Sequence, residues 1–463
     1  MAAEVWSERR GIEPVPVHAR TTSPRQLFAI WFAPGLGLVP IGVGTIAAAR
    51  FIGLGWWDGL AAIVLGNVVA GAVVALLAVR GAGAGVPQMA SARVPFGKAL
   101  LVPAVVNWAS LIAWSAIYAV FGAQALVHLT GGQAPLWAGL LLIGGGQAML
   151  AVLGFPAVSR YQRFAAVILT VLFVMITVTL SGKVDLGLGD GPTASPATFV
   201  LMIAVAGSLN LAWAATACDY SRYVTPTAEP HTVFAATLLG LVVPTVWLEA
   251  LGLAVAQATL PGHDPVQAFV ALLGGGVMGT IGMAAISLGT LAVNGMILYS
   301  ASLSLMASGP RLYRPAVAAV TALASFGVAA ALVLVEAQGW LENDLLIVGY
   351  WIPAWAAVMF IDWRRHPALE VAAPRASFRA LPAGRNALLA LVLGAAAAVP
   401  FVDQALFVGP VANALGGADL GYVVSFVVAG MSFAVLEQVR PTPRSAVPIE
   451  VIPGAATAMS LRA

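Results

Sequence analysis

Residues 33–44 read APGLGLVPIGVG, with glycine at 35, 37, 42 and 44 and proline at 34 and 40. They occupy the middle of an apolar run from Leu27 to Ala49. That run is long enough to cross a bilayer, for which ~20 residues suffice. Inside a helix, glycine costs about 1 kcal/mol and proline about 3 kcal/mol relative to alanine. Two readings are open. Small residues let membrane helices pack closely, and the chain holds 49 glycines. Alternatively the helix is interrupted at mid-depth, which is tolerated only where the backbone is buried in protein or lines a wet cavity. Two prolines clustered with four glycines favour the interruption.

The remaining composition places this stretch in a polytopic membrane protein. Hydrophobic residues make up 60% of the 463 and charged residues only 9%, with a mean hydropathy of +0.93. Soluble domains carry about 25% charged residues. One cysteine, Cys218, excludes a disulfide framework and a cysteine-based metal cluster, and the five histidines show no metal-ligand spacing. The first 26 residues are polar and lack the apolar core of a cleavable signal peptide, so the first span is expected to insert uncleaved.

Twelve apolar segments are expected to span as helices: 27–49, 57–80, 100–127, 135–154, 162–181, 197–217, 233–257, 275–302, 315–334, 341–362, 385–405 and 418–437. With the N-terminus in the cytoplasm, only Arg50 and Lys183 of the 22 lysines and arginines fall in outer loops. This asymmetry satisfies the positive-inside rule. It also accounts for the net charge of +3 as topology, with no implication of nucleic-acid binding. Both termini are then cytoplasmic, the membrane being the plasma (inner) membrane. Twelve spans without a long soluble domain suit a transporter. No His/Asp/Ser or metal-ligand cluster in the spans supports an enzyme.

Many transporters bind substrate where two helices in corresponding halves of an inverted repeat are broken. Five spans after the first, span 6 reads VAGSLNLAWAATACDYSRY, with Gly207, Ser208 and Asn210 near its middle. Breaks in spans 1 and 6 fit a five-plus-five inverted repeat, with spans 11 and 12 added outside it. In span 3, NWASLIAWSAIYAVFGAQ, Trp114 and Tyr118 share a helical face. Trp114 there, and Trp213 in span 6, lie well inside their spans, away from the interface where tryptophan usually anchors. Buried indoles need an N–H partner, and flat π faces at mid-membrane suit a flat heteroaromatic ligand; ordinary helix packing is the alternative. Asn107 and Trp108 also lie in span 3. Asn294 in span 8 reads either as an interhelical hydrogen bond or as recognition of a ligand edge that alternates donors and acceptors. Glu249, in VVPTVWLEALGLAVAQ, is the one acid clearly inside a span. Intramembrane acids are functional suspects, so Glu249 is a proton-coupling candidate, or else a residue near the outer boundary.

Four ordered stretches carry a family resemblance: GIEPVPVHART (11–21), GAGAGVPQMASARVPFGK (81–98), LAWAATACDYSRYVTP (211–226) and GYWIPAWAAVMFIDW (349–363). Together they resemble the purine–cytosine permease branch of the nucleobase:cation symporter family. The resemblance implies an all-α protein of twelve transmembrane helices with a LeuT-like fold, broken helices 1 and 6, and alternating access. It implies import of a nucleobase or related heterocycle coupled to H+ or Na+, without a cofactor. Carried over position by position, Trp114 matches the stacking aromatic of span 3 and Tyr118 a polar ligand contact. Trp213, six residues before Asp219, matches this branch's span 6 aromatic, whereas other branches place it at the position of Asn210. Asn294 matches the span 8 amide. Asp219 and Arg222 fit structural or gating roles better than ligand contact.

Two departures stand out. Where relatives carry asparagines in span 1, this chain has APGLG, so backbone groups of Gly35 to Pro40, Gly35 and Gly37 among them, would have to replace those side-chain contacts. Sodium-coupled relatives also place adjacent hydroxyls five and six positions before the span 8 asparagine. Here those are Gly289 and Leu288, flanked by Ser287 and Thr290. A sodium site needs several oxygen ligands, so this loss favours H+. Carbonyls of Ala33, Leu36 and Ala285 remain ion-ligand candidates beside Ser287, Gly289 and Thr290. The resulting organisation is a cytoplasmic segment (1–26), a ten-helix core (27–362), a cytoplasmic loop (363–384), two added helices (385–437) and a cytoplasmic tail (438–463). The expected partners are a small nucleobase-like molecule and lipid, the protein working as a monomer. Competing readings are an amino-acid or other metabolite carrier on the same fold and a transport-inactive membrane sensor.

Overall fold

Pro34 and Pro40 dictate where the first span breaks. A proline ring clashes with the carbonyl four residues earlier and offers no N–H to it. A continuous helix would therefore set Pro34 against Ile30 and Pro40 against Leu36. In the computed structural model, the helix Pro24–Phe32 passes into a 3-10 turn, Ala33–Gly35, and a new helix begins at Leu38–Ala47, bent by 63° from the first. Pro40 thereby falls in the first turn of the second helix, where N–H groups have no intrahelical acceptor. Gly37 is extended between them. Ser23 and Gln26 form a reciprocal capping box at the start of the span.

The structure describes residues 8–48, 52–182, 195–258, 271, 273–274, 276–309, 312–335, 349–366, 378–404 and 407–443. Among them, nine further helices are long and apolar enough to cross a membrane. They include span 2 (Trp56–Ala84), span 3 (Leu101–Leu129), span 4 (Leu136–Leu153) and span 5 (Phe155–Ser181). Span 7 (Pro230–Ala258), span 8 (Gly276–Ala307), span 9 (Arg314–Leu334) and span 12 (Gly421–Val439) follow the same pattern. Shorter helices, Trp351–Arg365 and Arg385–Ala398, stand where spans 10 and 11 are expected. Part of the expected span at 341–362 lies outside the described residues, as do Arg50 and Lys183.

Span 6 departs from expectation in the position of its interruption. Helix Pro196–Leu211 runs through Gly207, Ser208 and Asn210 and gives way to a 3-10 stretch, Ala212–Thr216, before Ala217–Ser221. Span 1 is the one bent by more than 40° among the described residues. The glycine that suggested a break serves packing instead. A Cβ on Gly207 would meet the Gly66 carbonyl oxygen at 2.7 Å, and one on Gly66 would strike the Ile203 carbonyl oxygen.

Spans 1, 2, 6 and 7 form one packed group. Its helices touch backbone to backbone at Gly44, whose Cβ would overlap the Glu249 carbonyl oxygen, and at Gly252, whose Cβ would overlap that of Ile41. Such contact requires glycine, because any side chain would force the helices apart. Span 8 packs against spans 3, 4, 5 and 9, making a second group, and spans 10, 11 and 12 pack on one another. Val167, Val171 and Val178 on span 5 are exposed, as a lipid-facing surface requires.

Several of the described arginines lie at one end of the molecule. Arg20 donates to the carbonyls of Ala82, Gly83 and Ala84, the otherwise unpaired oxygens at the end of span 2. Arg93 donates to the Ala307 carbonyl at the end of span 8. At the other end, Asp419 accepts from the N–H of Asp403 and of Gly421 and from the Tyr350 hydroxyl.

Candidate substrate and ion site

The break in span 1 frees backbone groups beside span 8. A Cβ on Gly289 would lie 2.5 Å from the Leu36 carbonyl oxygen, so the two segments touch there. Gly37 has open space around its Cα, with nothing within 4 Å of an added Cβ. Gly35 is packed, facing Pro244 and Thr245 of span 7. Of the two span 1 glycines expected to meet a ligand, Gly37 is buried but has room for a Cβ, and Gly35 is partly exposed but has none to spare.

Trp114 and Tyr118 lie with ring centroids 6.1 Å apart on span 3. Trp114 is buried in an apolar cluster with Val39 and Val43 of span 1, against which Trp213 also packs. The two tryptophans expected to sandwich a ligand thus share one cluster, and their rings make no contact with each other. Trp213 instead meets Trp31 edge-on at 5.8 Å and Tyr220 at 6.3 Å. Trp31, immediately before the break, is fully buried and its indole N–H has no partner. Sequence reading did not single out Trp31, which the fold places beside Trp213.

The amides divide between two networks. Asn294 donates to the Ser115 carbonyl (2.9 Å) and to Gln147 Oε1 (2.6 Å), tying span 8 to spans 3 and 4, and its own oxygen is buried without a partner. Asn107 likewise bonds Ser304 at 2.8 Å, and Trp108 donates to Thr321. Asn210 donates to Asn67 Oδ1 (2.7 Å) on span 2, and Asn67 donates to Glu249 Oε2 (2.7 Å) on span 7. Asn67 was not singled out from sequence; a lone amide in an apolar helix looks the same whether or not it faces an acid. Ser208 donates back to Val205 and, with Gly207, belongs to the packing of span 6.

The ion candidates converge only in part. Ala33, Leu36 and Ala285 share one buried cluster, but the Ala33 carbonyl already accepts from the Leu36 N–H at 3.0 Å. Ser287 donates to Met283 at 2.9 Å, and its hydroxyl lies 3.5 Å from the Gly122 carbonyl of span 3. Thr290 also faces Gly122. Both hydroxyls therefore turn toward span 3, and Gly289 presents no oxygen-bearing side chain to the break. Among the described residues no cluster of three His, Cys, Asp or Glu side chains stands ready for a metal ion.

At the basic end, the sequence motifs join. The Gln88 N–H donates to Asp219 Oδ1 (2.9 Å), and the Cys218 N–H donates to the Gln88 side chain (3.2 Å). Glu8 binds Arg222 at 3.1 Å, accepts from Tyr223 and from the Phe155 N–H, and offers its carbonyl to Arg314. Arg222 also donates to the hydroxyl of Tyr299 on span 8. Asp219 and Arg222 thus bind groups from other segments at this end, and Glu8, which sequence reading passed over, closes the network from the N-terminal segment.

A first span broken at mid-depth, a sixth interrupted beside it, and the packing of these with spans 2 and 7 define a polytopic membrane transporter. The chain belongs to the family of permeases for cytosine/purines, uracil, thiamine and allantoin, whose model matches residues 14–425. It is 26% identical to the purine-cytosine permease fcyB of Emericella nidulans over 94% of this chain and 89% of that protein. The putative purine-cytosine permease YxlA of Bacillus subtilis is 25% identical, covering 95% and 97%. Its fold is that of Mhp1, a nucleobase-cation-symport-1 family transporter solved in a closed conformation with bromovinylhydantoin bound. The TM-score is 0.74 and the identity 20%, over 96% of this chain and 98% of that one. The LeuT-like fold class read from the sequence is therefore the fold this chain has.

Proposed function

We propose that the protein is a secondary active transporter importing a nucleobase such as cytosine or a purine, or a related heterocycle, by alternating access. The observation that carries this reading is the shared cluster of Trp114 and Trp213, one from each packed group, bordering span 1 beside its break. A planar base stacked between them would touch both groups at once. Stacking is sequence-tolerant and worth ~1–3 kcal/mol per base on an aromatic face. Tyr118, the free oxygen of Asn294 and the backbone at Gly35 and Gly37 supply donors and acceptors for the polar edge; Asn210 supports the segment that carries Trp213. Rocking of spans 1, 2, 6 and 7 against the other group would expose the base on alternate sides.

Coupling is to H+ in this reading. The inward turn of Ser287 and Thr290 toward span 3 leaves few oxygens near Leu36 for Na+, which needs several. Two further assignments complete the proposal: the plasma (inner) membrane, with the basic end and both termini in the cytoplasm, and a monomeric working unit. Uptake of radiolabelled cytosine, adenine and hypoxanthine into proteoliposomes under imposed H+ or Na+ gradients tests the whole. Base flux driven by the H+ gradient in sodium-free buffer is expected. Competition by amino acids and not by bases overturns the substrate, strict sodium dependence overturns the ion, and binding without flux would make the protein a sensor.

A further inference from the structure

We infer that Glu249 is the group that carries the coupled proton, and that Asn67 and Asn210 pass its protonation state to the interrupted segment of span 6; the coupling half of this inference rests on the proposed H+-driven transport. Glu249 is fully buried among spans 1, 2, 6 and 7, and its own backbone carbonyl makes the close contact with Gly44. Its Oε2 accepts from Asn67, and its Oε1 has no partner. Asn67 also donates to the Ile63 carbonyl at 2.9 Å, which fixes the direction of its amide: NH2 toward the acid, oxygen toward Asn210. Asn210 stands two residues before the stretch Ala212–Thr216 that bears Trp213. Thr245 Oγ1 lies 3.4 Å from its oxygen and completes the line of polar groups.

The elements packed around Glu249 supply no countercharge. Their titratable and charged side chains among the described residues are Arg25 on span 1, Asp58 and Arg80 on span 2, Cys218, Asp219 and Tyr220 on span 6, and His231 on span 7 itself. Span 5, joined through Trp247 and Thr177, adds Arg160, Tyr161 and Arg163. None of these forms a hydrogen bond or ion pair with Glu249. A buried unpaired ion costs several kcal/mol, and a proton on the vacant Oε1 removes that charge. Sodium suits the place poorly, because the group Asn67 turns toward the carboxylate is a donor.

The proton then alters a specific bond. A hydrogen bond to a carboxylate is roughly twice as strong as one between neutral groups. Adding H+ to Oε1 converts the acceptor Oε2 from a charged to a neutral oxygen. The hold on Asn67 weakens, and with it the hold of Asn67 on Asn210. Every atom of this line belongs to the group of spans 1, 2, 6 and 7, so the proton acts on the element that carries Trp213. By linkage, the base and the proton then favour one another's binding by the same factor.

The test uses the full chain in proteoliposomes, wild type beside Glu249→Gln, with radiolabelled cytosine, adenine and hypoxanthine as probes. The variant is expected to keep exchange of internal for external base and to lose accumulation driven by the H+ gradient. Gradient-driven accumulation equal to wild type overturns the inference. A readout needing neither substrate nor a transporting variant is the pH-difference infrared spectrum. The wild type should show a protonated-carboxyl C=O band from a buried acid, and Glu249→Gln should lack it. Identical spectra overturn the assignment even if the variant folds poorly, since the wild-type band can be tested by carboxyl-directed isotope labelling. If wild type neither binds nor moves any base, it is the proposed substrate that fails, while the infrared comparison still decides the proton site.

Discussion

Gln88 and Asp219, 131 residues apart, are joined by a backbone N–H on a buried carboxylate at 2.9 Å. The two most distinctive motifs of the chain, P-Q-M and D-Y-S-R-Y, are therefore two halves of one clasp between the loop after span 2 and the end of span 6. Asp219→Ala would leave a buried N–H without an acceptor, at a cost of about 1–3 kcal/mol. A lower thermal unfolding temperature in detergent is expected, with base affinity of the folded protein unchanged. Lost affinity at an unchanged unfolding temperature would make Asp219 a ligand contact and contradict the clasp.

The pair Glu8–Arg222 closes the basic end. Arg222 is wholly buried, and removing Glu8 leaves its charge unpaired, which typically costs about 3–5 kcal/mol. Glu8→Ala should loosen this end of the molecule. The single cysteine is a native reporter: Cys218 is buried beside the Leu77 carbonyl. Thiol labelling should be slow in wild type and markedly faster in Glu8→Ala. Equal rates would show that the N-terminal segment does not guard this end.

Within APGLGLVPIGVG, neighbouring glycines should respond in opposite ways. A Cβ at Gly42 meets nothing within 4 Å, whereas one at Gly44 overlaps the Glu249 carbonyl oxygen. Gly42→Ala should be neutral or stabilising by up to about 1 kcal/mol through helix propensity. Gly44→Ala should cost about 1–3 kcal/mol by overpacking and reduce uptake by parting spans 1 and 7. Thermal unfolding of both variants decides this; equal tolerance would refute the close contact.

Trp114→Ala should abolish or strongly weaken base binding while leaving the protein folded. Loss of one stacking face, ~1–3 kcal/mol, corresponds to a fall of roughly 5- to 150-fold in affinity. Equilibrium binding of labelled base on monodisperse protein measures it, and near-normal affinity would remove Trp114 from the site. Trp31→Ala serves as the companion variant. It removes the edge-on support of Trp213 without touching span 3, and a smaller loss is expected.

The membrane class and the neighbourhood of the first break were legible in the chain. Each rests on a local property: apolar length, and proline geometry at 34 and 40. The second break was misplaced by a few residues, because a glycine at a packing contact and a glycine at a break look alike in one dimension. Gly207 was spent on Gly66, and the interruption fell on AWAAT, which contains neither glycine nor proline. The hydroxyls of Ser287 and Thr290 are visible in the sequence, but their direction, toward span 3, depends on the rotation of span 8 about its axis.

By itself, then, the sequence determined that this chain crosses the membrane many times and favoured an interruption within residues 33–44, since backbone sterics and hydrophobic length act on neighbours. Only the tertiary structure decided which polar groups meet. Asn67, Asn210 and Glu249 lie on three different spans, and Glu8 reaches Arg222 across more than 200 residues. Such contacts arise from how helices are packed and turned against one another, a property of the whole assembly that no local stretch of chain contains.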